Sequence, residues 1–120
     1  MDRVKGAAFS RLIAYADPVK VLLVRPPRRD AWDAGLSVPP LGLAYVASAL
    51  READIPVEIL DAYALGLSWE MFEEALAASD AQVLGMGTMT PVAETAYRAA
   101  ALAKRFFETV LLGGPHPTAV

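Results

Sequence analysis

Four short apolar runs, none alternating apolar with polar residues, constrain this chain more than any other feature. They are Val19–Val24, Val57–Leu60, Gln82–Met86 and Thr109–Leu112. A strand with one wet face alternates, whereas a continuous apolar run suits a strand covered on both faces, as in a parallel sheet. Between the runs lie segments of helical length and composition. Pro39-Pro40 sets φ for a helix entrance, and "LGLAYVASALREA" follows from Leu41 to Ala53. That segment is apolar nearly all round and rich in small residues, which suits a helix pressed against a sheet. A second helix is predicted over Ser68–Ala78, with Ser68 as its N-cap and Glu70 in its first turn. A third is predicted over Pro91–Phe107, capped by Thr90, with Lys104 and Arg105 near the C-terminus, where the helix dipole favours cations. Strands and helices therefore alternate. With right-handed crossovers that order gives a doubly wound parallel sheet, an α/β fold of three layers.

A chain of 120 residues holds one such domain. We assign residues 1–17 to an N-terminal helical extension and 18–120 to the sheet domain. The chain is 55% hydrophobic with a mean hydropathy of +0.34, apolar for its size, so part of its surface is expected to meet a ligand or another piece of protein. Its apolar stretches are broken well short of the roughly 20 residues a membrane helix needs. Met1–Pro18 carries Arg3, Lys5 and Arg11 but only a short apolar part and no cleavage site, so no membrane partner is expected and a cytoplasmic location is. A net charge of −3 leaves no footprint for nucleic acid. Lys20, Arg25, Arg28 and Arg29 cluster, but Asp30 and Asp33 follow at once, and the stretch reads as a solvated loop. Zero cysteines exclude disulfides, thiolate nucleophiles and clusters ligated by this chain's own thiolates.

Ligands of doubly wound sheets sit beyond the carboxyl ends of the strands, where the strand order reverses. Three loops qualify: Arg25–Pro40, Gly87–Thr90 and Gly113–Thr118. The first is 16 residues long, against about 2–6 for an ordinary strand-to-helix connection. Phosphate-receiving regulators need carboxylates ending the first strand and an aspartate ending the third, and neither is present. A flavodoxin's Ser/Thr-rich phosphate loop and a dinucleotide-binding G-x-G-x-x-G are also missing, and "GMGTM" is a weak signal alone. One histidine, between two prolines in "GGPHPT", supports neither a Ser-His-Asp set nor a metal site. Catalytic residues are not expected. What remains is a cradle, in which glycines admit a bulky ligand, threonines donate hydrogen bonds, and the guest supplies the chemistry.

The stretches "VLLVRPP", "VPPLGLAYVASALREADIPVEILDA", "VLGMGTMTP" and "VLLGGPHPT" resemble, in order and spacing, the N-terminal cobalamin-binding domain of cobalamin-dependent radical S-adenosylmethionine enzymes. The resemblance spans Val19–Thr118, and "PPLGLAYVASAL" and "GGPHPT" are its most specific parts. It implies a flavodoxin-like sheet of strand order 2-1-3-4, with a fifth strand that this chain lacks. Cobalamin is the implied cofactor, lying across the carboxyl ends of the strands with its nucleotide tail reaching between sheet and helices. By position, Gly35, Pro39, Pro40, Leu41 and Gly42 would approach it from the first loop. Gly87, Thr88, Met89 and Thr90 would line the tail. Gly113 and Gly114 would let the backbone pass close to it, and Pro115, His116 and Thr118 would form a rim near the corrin.

Other cobalamin carriers place D-x-H-x-x-G after the first strand, so that a histidine ligates cobalt from below. This chain has none there, as is usual in the radical family, which implies a corrinoid held base-off without a protein ligand. Asp54 stands where the family often ends its first helix with glycine. The implied partners are cobalamin and the radical domain of a parent chain, whose iron–sulfur cluster and S-adenosylmethionine would belong to a part absent here. A sheet that stops at its fourth strand has an apolar edge there, expected to pair with another chain or be covered, as in a homo-oligomer. Two functions follow: a cofactor module of a methyltransferase or ring-forming enzyme, or a cobalamin-like fold that lost the cofactor and serves docking or regulation.

Overall fold

A computed structural model of the chain describes residues 19–29, 41–87 and 93–113. Strands β1 (Val21–Arg25), β2 (Val57–Asp61), β3 (Val83–Gly87) and β4 (Thr109–Gly113) form one parallel sheet in the order β2-β1-β3-β4. Helices α1 (Leu41–Glu52), α2 (Ala62–Leu65), α3 (Trp69–Ala78) and α4 (Ala93–Ala103) fill the connections. This is the expected flavodoxin-like order. The step from β1 to β2 runs one way across the sheet, and those from β2 to β3 and β3 to β4 run the other. Right-handed crossovers therefore put α1 on one face and α3 and α4 on the opposite one.

The register tells the faces apart. Leu22, Val24, Leu84 and Met86 point towards α3 and α4, where Phe72, Leu76, Ala96, Ala99, Ala103 and Phe107 complete the buried core. Each large apolar side chain closed off this way stabilises the fold by about 1.5–3 kcal/mol. The small alanines on α4 let that helix lie close to the sheet. The other face carries Leu23 with its register partners Ile59 and Gly85, and then Leu111 beside Gly85. Here α1 contributes one buried side chain, Ala47, while Tyr45 and Val46 stay 77% and 46% exposed. As expected, this helix packs against the sheet, and it does so through one side, with Tyr45 and Val46 outside. Being central, β1 and β3 are buried through their middles, as their apolar runs predict. The edge strands β2 and β4 are not, and Leu111 is 57% exposed.

Local chemistry sets the element ends. Ser68 caps α3, its hydroxyl accepting from the Met71 backbone N–H at 3.1 Å. Asp54 follows α1 at φ 61°, and Ile55 N–H donates to the Leu50 carbonyl at 2.9 Å, closing the helix as a glycine would. The third predicted helix ends at Ala103, so Lys104 and Arg105 lie in the turn after it, while Thr90 and Pro91 fall outside the described residues. The one-turn helix α2 has no periodicity to announce it. Asp61 starts it and Gly66, at φ 68°, ends it.

At the amino end of the sheet, Lys20 bridges Asp80 at 2.7 Å and Glu58 at 3.2 Å. Its hydrogen bond to Asp80 raises the ammonium above its ordinary pKa, against some desolvation, and the same bond lowers the Asp80 carboxyl. No described helix is long and apolar enough to cross a membrane.

Candidate functional site

Because β1 and β3 are neighbours whose connections diverge, the crevice favoured by ligands opens beyond Arg25 and Gly87. Gly87 and Gly113 are register partners there. A Cβ added to Gly87 meets nothing nearer than the Gly113 carbonyl oxygen at 4.0 Å, and one on Gly113 meets nothing within 4 Å. Side chains repeat every second residue along a strand, so Gly85 and Gly87 share the face that carries α1. The terminal parts of β3 and β4 therefore offer bare backbone on that face, with Leu111 beside it. At Gly85 the space is already taken, since Leu23 Cδ2 would lie 3.1 Å from an added Cβ. Gly85 belongs to the same surface although motif reading passed over it. The G-x-G spacing at period two was the available signal.

Of the other predicted residues, Leu41 and Gly42 open α1, and Gly42 is exposed with no atom within 4 Å of an added Cβ. Gly35, Pro39, Pro40, Thr88, Met89, Thr90, Gly114, Pro115, His116 and Thr118 lie outside the described residues, as does Trp32. Their arrangement stays an expectation.

The basic stretch after β1 differs from its reading as a solvated loop. Arg25 Nε and Nη2 donate to the two carboxylate oxygens of Asp61 at 2.8 and 2.7 Å, joining the ends of β1 and β2. Asp61 Oδ1 also accepts from Ala64 N–H at 3.0 Å, which is the N-cap of α2. Asp61 therefore serves both as the cap of α2 and as the partner of Arg25, a second role that sequence order hides. The Arg25 and Arg28 guanidiniums lie 4.9 and 5.1 Å from the centre of the Tyr63 ring. Trp69 Nε1 donates to the Arg28 carbonyl at 3.1 Å, and Arg98 stacks on the Trp69 ring at 4.0 Å. Arg28 is thus tied to α2 and α3, and Arg98 joins Trp69 to α4. Parallel pairing of β1 with β2 brings Asp61 to Arg25 across 36 positions, a contact that local pattern cannot reveal.

Hollows among the described residues lie elsewhere. One of about 540 Å³ runs along edge strand β2 between Arg51 and Ala78, and one of about 420 Å³ lies between α3 and α4 beside Arg98. Residues 30–40, 88–92 and 114–120, which hold most of the expected site residues, lie outside the described residues. No group of three or more metal-ligating side chains occurs among the described residues.

The sequence pattern of the B12 binding domain matches residues 31–120. This chain belongs to the B12-binding domain family. It is also 38% identical, over 104 residues, to a protein of Pyrococcus horikoshii described as an uncharacterized methyltransferase. That match takes in 83% of this chain but 22% of the relative's length. No solved structure matches the chain significantly. Membership agrees with the fold, a four-stranded parallel sheet with helices between its strands.

Proposed function

We propose that the chain is the cobalamin-binding module of a radical S-adenosylmethionine enzyme, of methyltransferase or cyclase type, holding the corrinoid base-off without a histidine ligand. The observation that carries the reading is the Gly87–Gly113 pair, side by side at the crevice of a B12-binding domain. A cobalamin bound there would supply methyl-carrying or redox chemistry. This chain's residues bind and orient. Gly87 and Gly113 keep the approach to the sheet clear, and Gly42 does the same at the head of α1. Gly35, Pro39, Pro40 and Leu41 would approach the ligand from the first loop. Thr88 and Thr90 donate hydrogen bonds to the tail beside Met89, and Gly114–Thr118 forms the rim. The only histidine, His116, follows β4, and none lies between Arg25 and Pro40. That distribution supports base-off binding. The methyltransferase description of the Pyrococcus horikoshii protein supports the reaction class, and its much greater length leaves room for a catalytic domain. Residues 18–120 are the module in this proposal, and 1–17 an extension ahead of it.

The test is an absorbance spectrum after mixing the protein with hydroxocobalamin and desalting. A retained corrin spectrum shifted to the base-off form is expected. A folded but colourless protein would move the reading to a docking domain that has lost its cofactor. Retained cobalamin in the base-on form would refute the ligand-free lower face alone.

A further inference from the structure

One polar atom at the carboxyl end of the sheet has no account in the fold. Arg28 Nε is closed to solvent and has no hydrogen-bond partner among the described residues. A buried donor left unmade costs about 1–3 kcal/mol, and one on a cation more, so such an atom marks either strain or an intended partner. The surroundings argue for a partner. Two guanidiniums, of Arg25 and Arg28, lie about equally far from one tyrosine ring. The carboxylate beside them, Asp61, has both oxygens engaged by Arg25 and one shared with the α2 cap. No hydrogen bond from Arg28 to Asp61 is formed, and Arg28 is half-buried, a setting where an opposite charge is attracted more strongly than in water. Arg28 is also held in place: Trp69 fixes its carbonyl, and Tyr63 lies against its guanidinium. A pre-positioned guanidinium with an unspent donor suits an oxyanion.

The geometry points to Arg28 as the recognition group of an anion site, taking a phosphate or carboxylate presented over the carboxyl ends of β1 and β2, with Trp69 and Tyr63 as its frame. The site is argued from Arg28 and its frame, and it holds whether or not cobalamin supplies the anion. The anion has two sources of the same chemistry: the phosphodiester of a cobalamin tail, or an anionic group on a separate small molecule.

Trp69 provides the probe, because the chain has two tryptophans and its indole N–H bonds the Arg28 backbone. The indole resonances are followed by nitrogen–proton NMR while inorganic phosphate is added at constant ionic strength, with Trp69→Phe assigning the signal. A saturable shift of the Trp69 resonance is expected, weakened about tenfold or more in Arg28→Gln and partly kept in Arg28→Lys. Dispersed amide spectra of both variants show that they are folded. No shift in the wild-type chain, or an equal shift in Arg28→Gln, overturns the site. Phosphate binding that emerges only in an Asp30→Asn, Asp33→Asn chain overturns it too, because the loop's own carboxylate is then the partner. The sources are separated by comparing hydroxocobalamin with cobinamide, which lacks the phosphodiester. Selective loss of hydroxocobalamin affinity in Arg28→Gln assigns the anion to the tail. Unchanged affinity for both corrinoids, with phosphate still bound by the wild type, assigns it to a separate ligand.

Discussion

Replacing Asp61 by alanine removes two interactions that meet at one carboxylate. The first is the α2 cap, from Asp61 Oδ1 to Ala64 N–H, worth about 1 kcal/mol. The second is the bidentate pair with Arg25, whose side chain is 23% exposed against 19% for Asp61. Exposed pairs contribute about 0–1 kcal/mol. Losing one partner of a fully buried pair costs about 3–5 kcal/mol. An interaction that is four-fifths closed to water but still touches it belongs between these, at about 2 kcal/mol. Asp61→Ala should therefore destabilise the domain by about 3 kcal/mol in all, a large part of the 5–15 kcal/mol typical of a domain. Asp61→Asn keeps an oxygen for the cap and loses the charge, so it should cost about 1–2 kcal/mol. The assay is urea unfolding followed by far-ultraviolet circular dichroism, with the m-value checked for constancy. A double-mutant cycle with Arg25→Gln isolates the pair, and a coupling of about 1–2 kcal/mol is expected. An alanine variant within about 0.5 kcal/mol of wild type, or a coupling near zero, refutes the claim that this contact holds the ends of β1 and β2 together.

Asp54→Gly should stabilise the domain by about 1 kcal/mol, since Asp54 sits at φ 61° where an L side chain is strained, and an unchanged urea midpoint would contradict this. Gly113→Val should fold normally, having open space around its Cβ, yet retain hydroxocobalamin at least about tenfold less tightly, as should Thr88→Ala; equal retention would misplace the ligand. The Asp80 carboxyl is lowered by Lys20, so its stabilising effect is present above its ordinary value of 3.8 and is lost as pH falls through the lower folded value. Lys20 is raised, so its effect is present below 10.5 and is lost as pH rises through the higher folded value. Asp80→Asn should flatten stability against pH at the acid end, and an acid limb as steep as that of wild type would contradict it. Leu111→Lys should lower any self-association through the β4 edge seen by light scattering, and a wild-type chain that stays monomeric at high concentration would remove that expectation.

Sequence reading reached the strands because each is five residues long and nearly continuous in apolar side chains, and a parallel sheet requires both. It reached the α3 cap through Ser68 because a cap is decided within a few residues. The crevice was legible for the same reason, since a glycine that ends a strand leaves bare backbone there whatever packs nearby. It put α1 against the sheet but could not say which side is covered, because a helix apolar nearly all round has no marked face and composition says nothing of how much protein covers one. It also took Arg25 and Arg28 for solvated cations, since the carboxylate and rings that hold them come from β2, α2 and α3.

What this sequence determines alone is therefore local and periodic: which segments are strands or helices, where they start and stop, and which strand ends are free of side chains. The strand order comes from the family resemblance, since right-handed crossovers fix the face each helix takes and not which strands are neighbours. Only the tertiary structure decided that Asp61 would serve Arg25 as well as its own helix. It likewise decided that Gly87 would face Gly113, and that Arg28 would be fixed over Tyr63 with a donor unspent. Those relations depend on strand register and helix packing, which bring together residues tens of positions apart, and no short-range pattern carries that information.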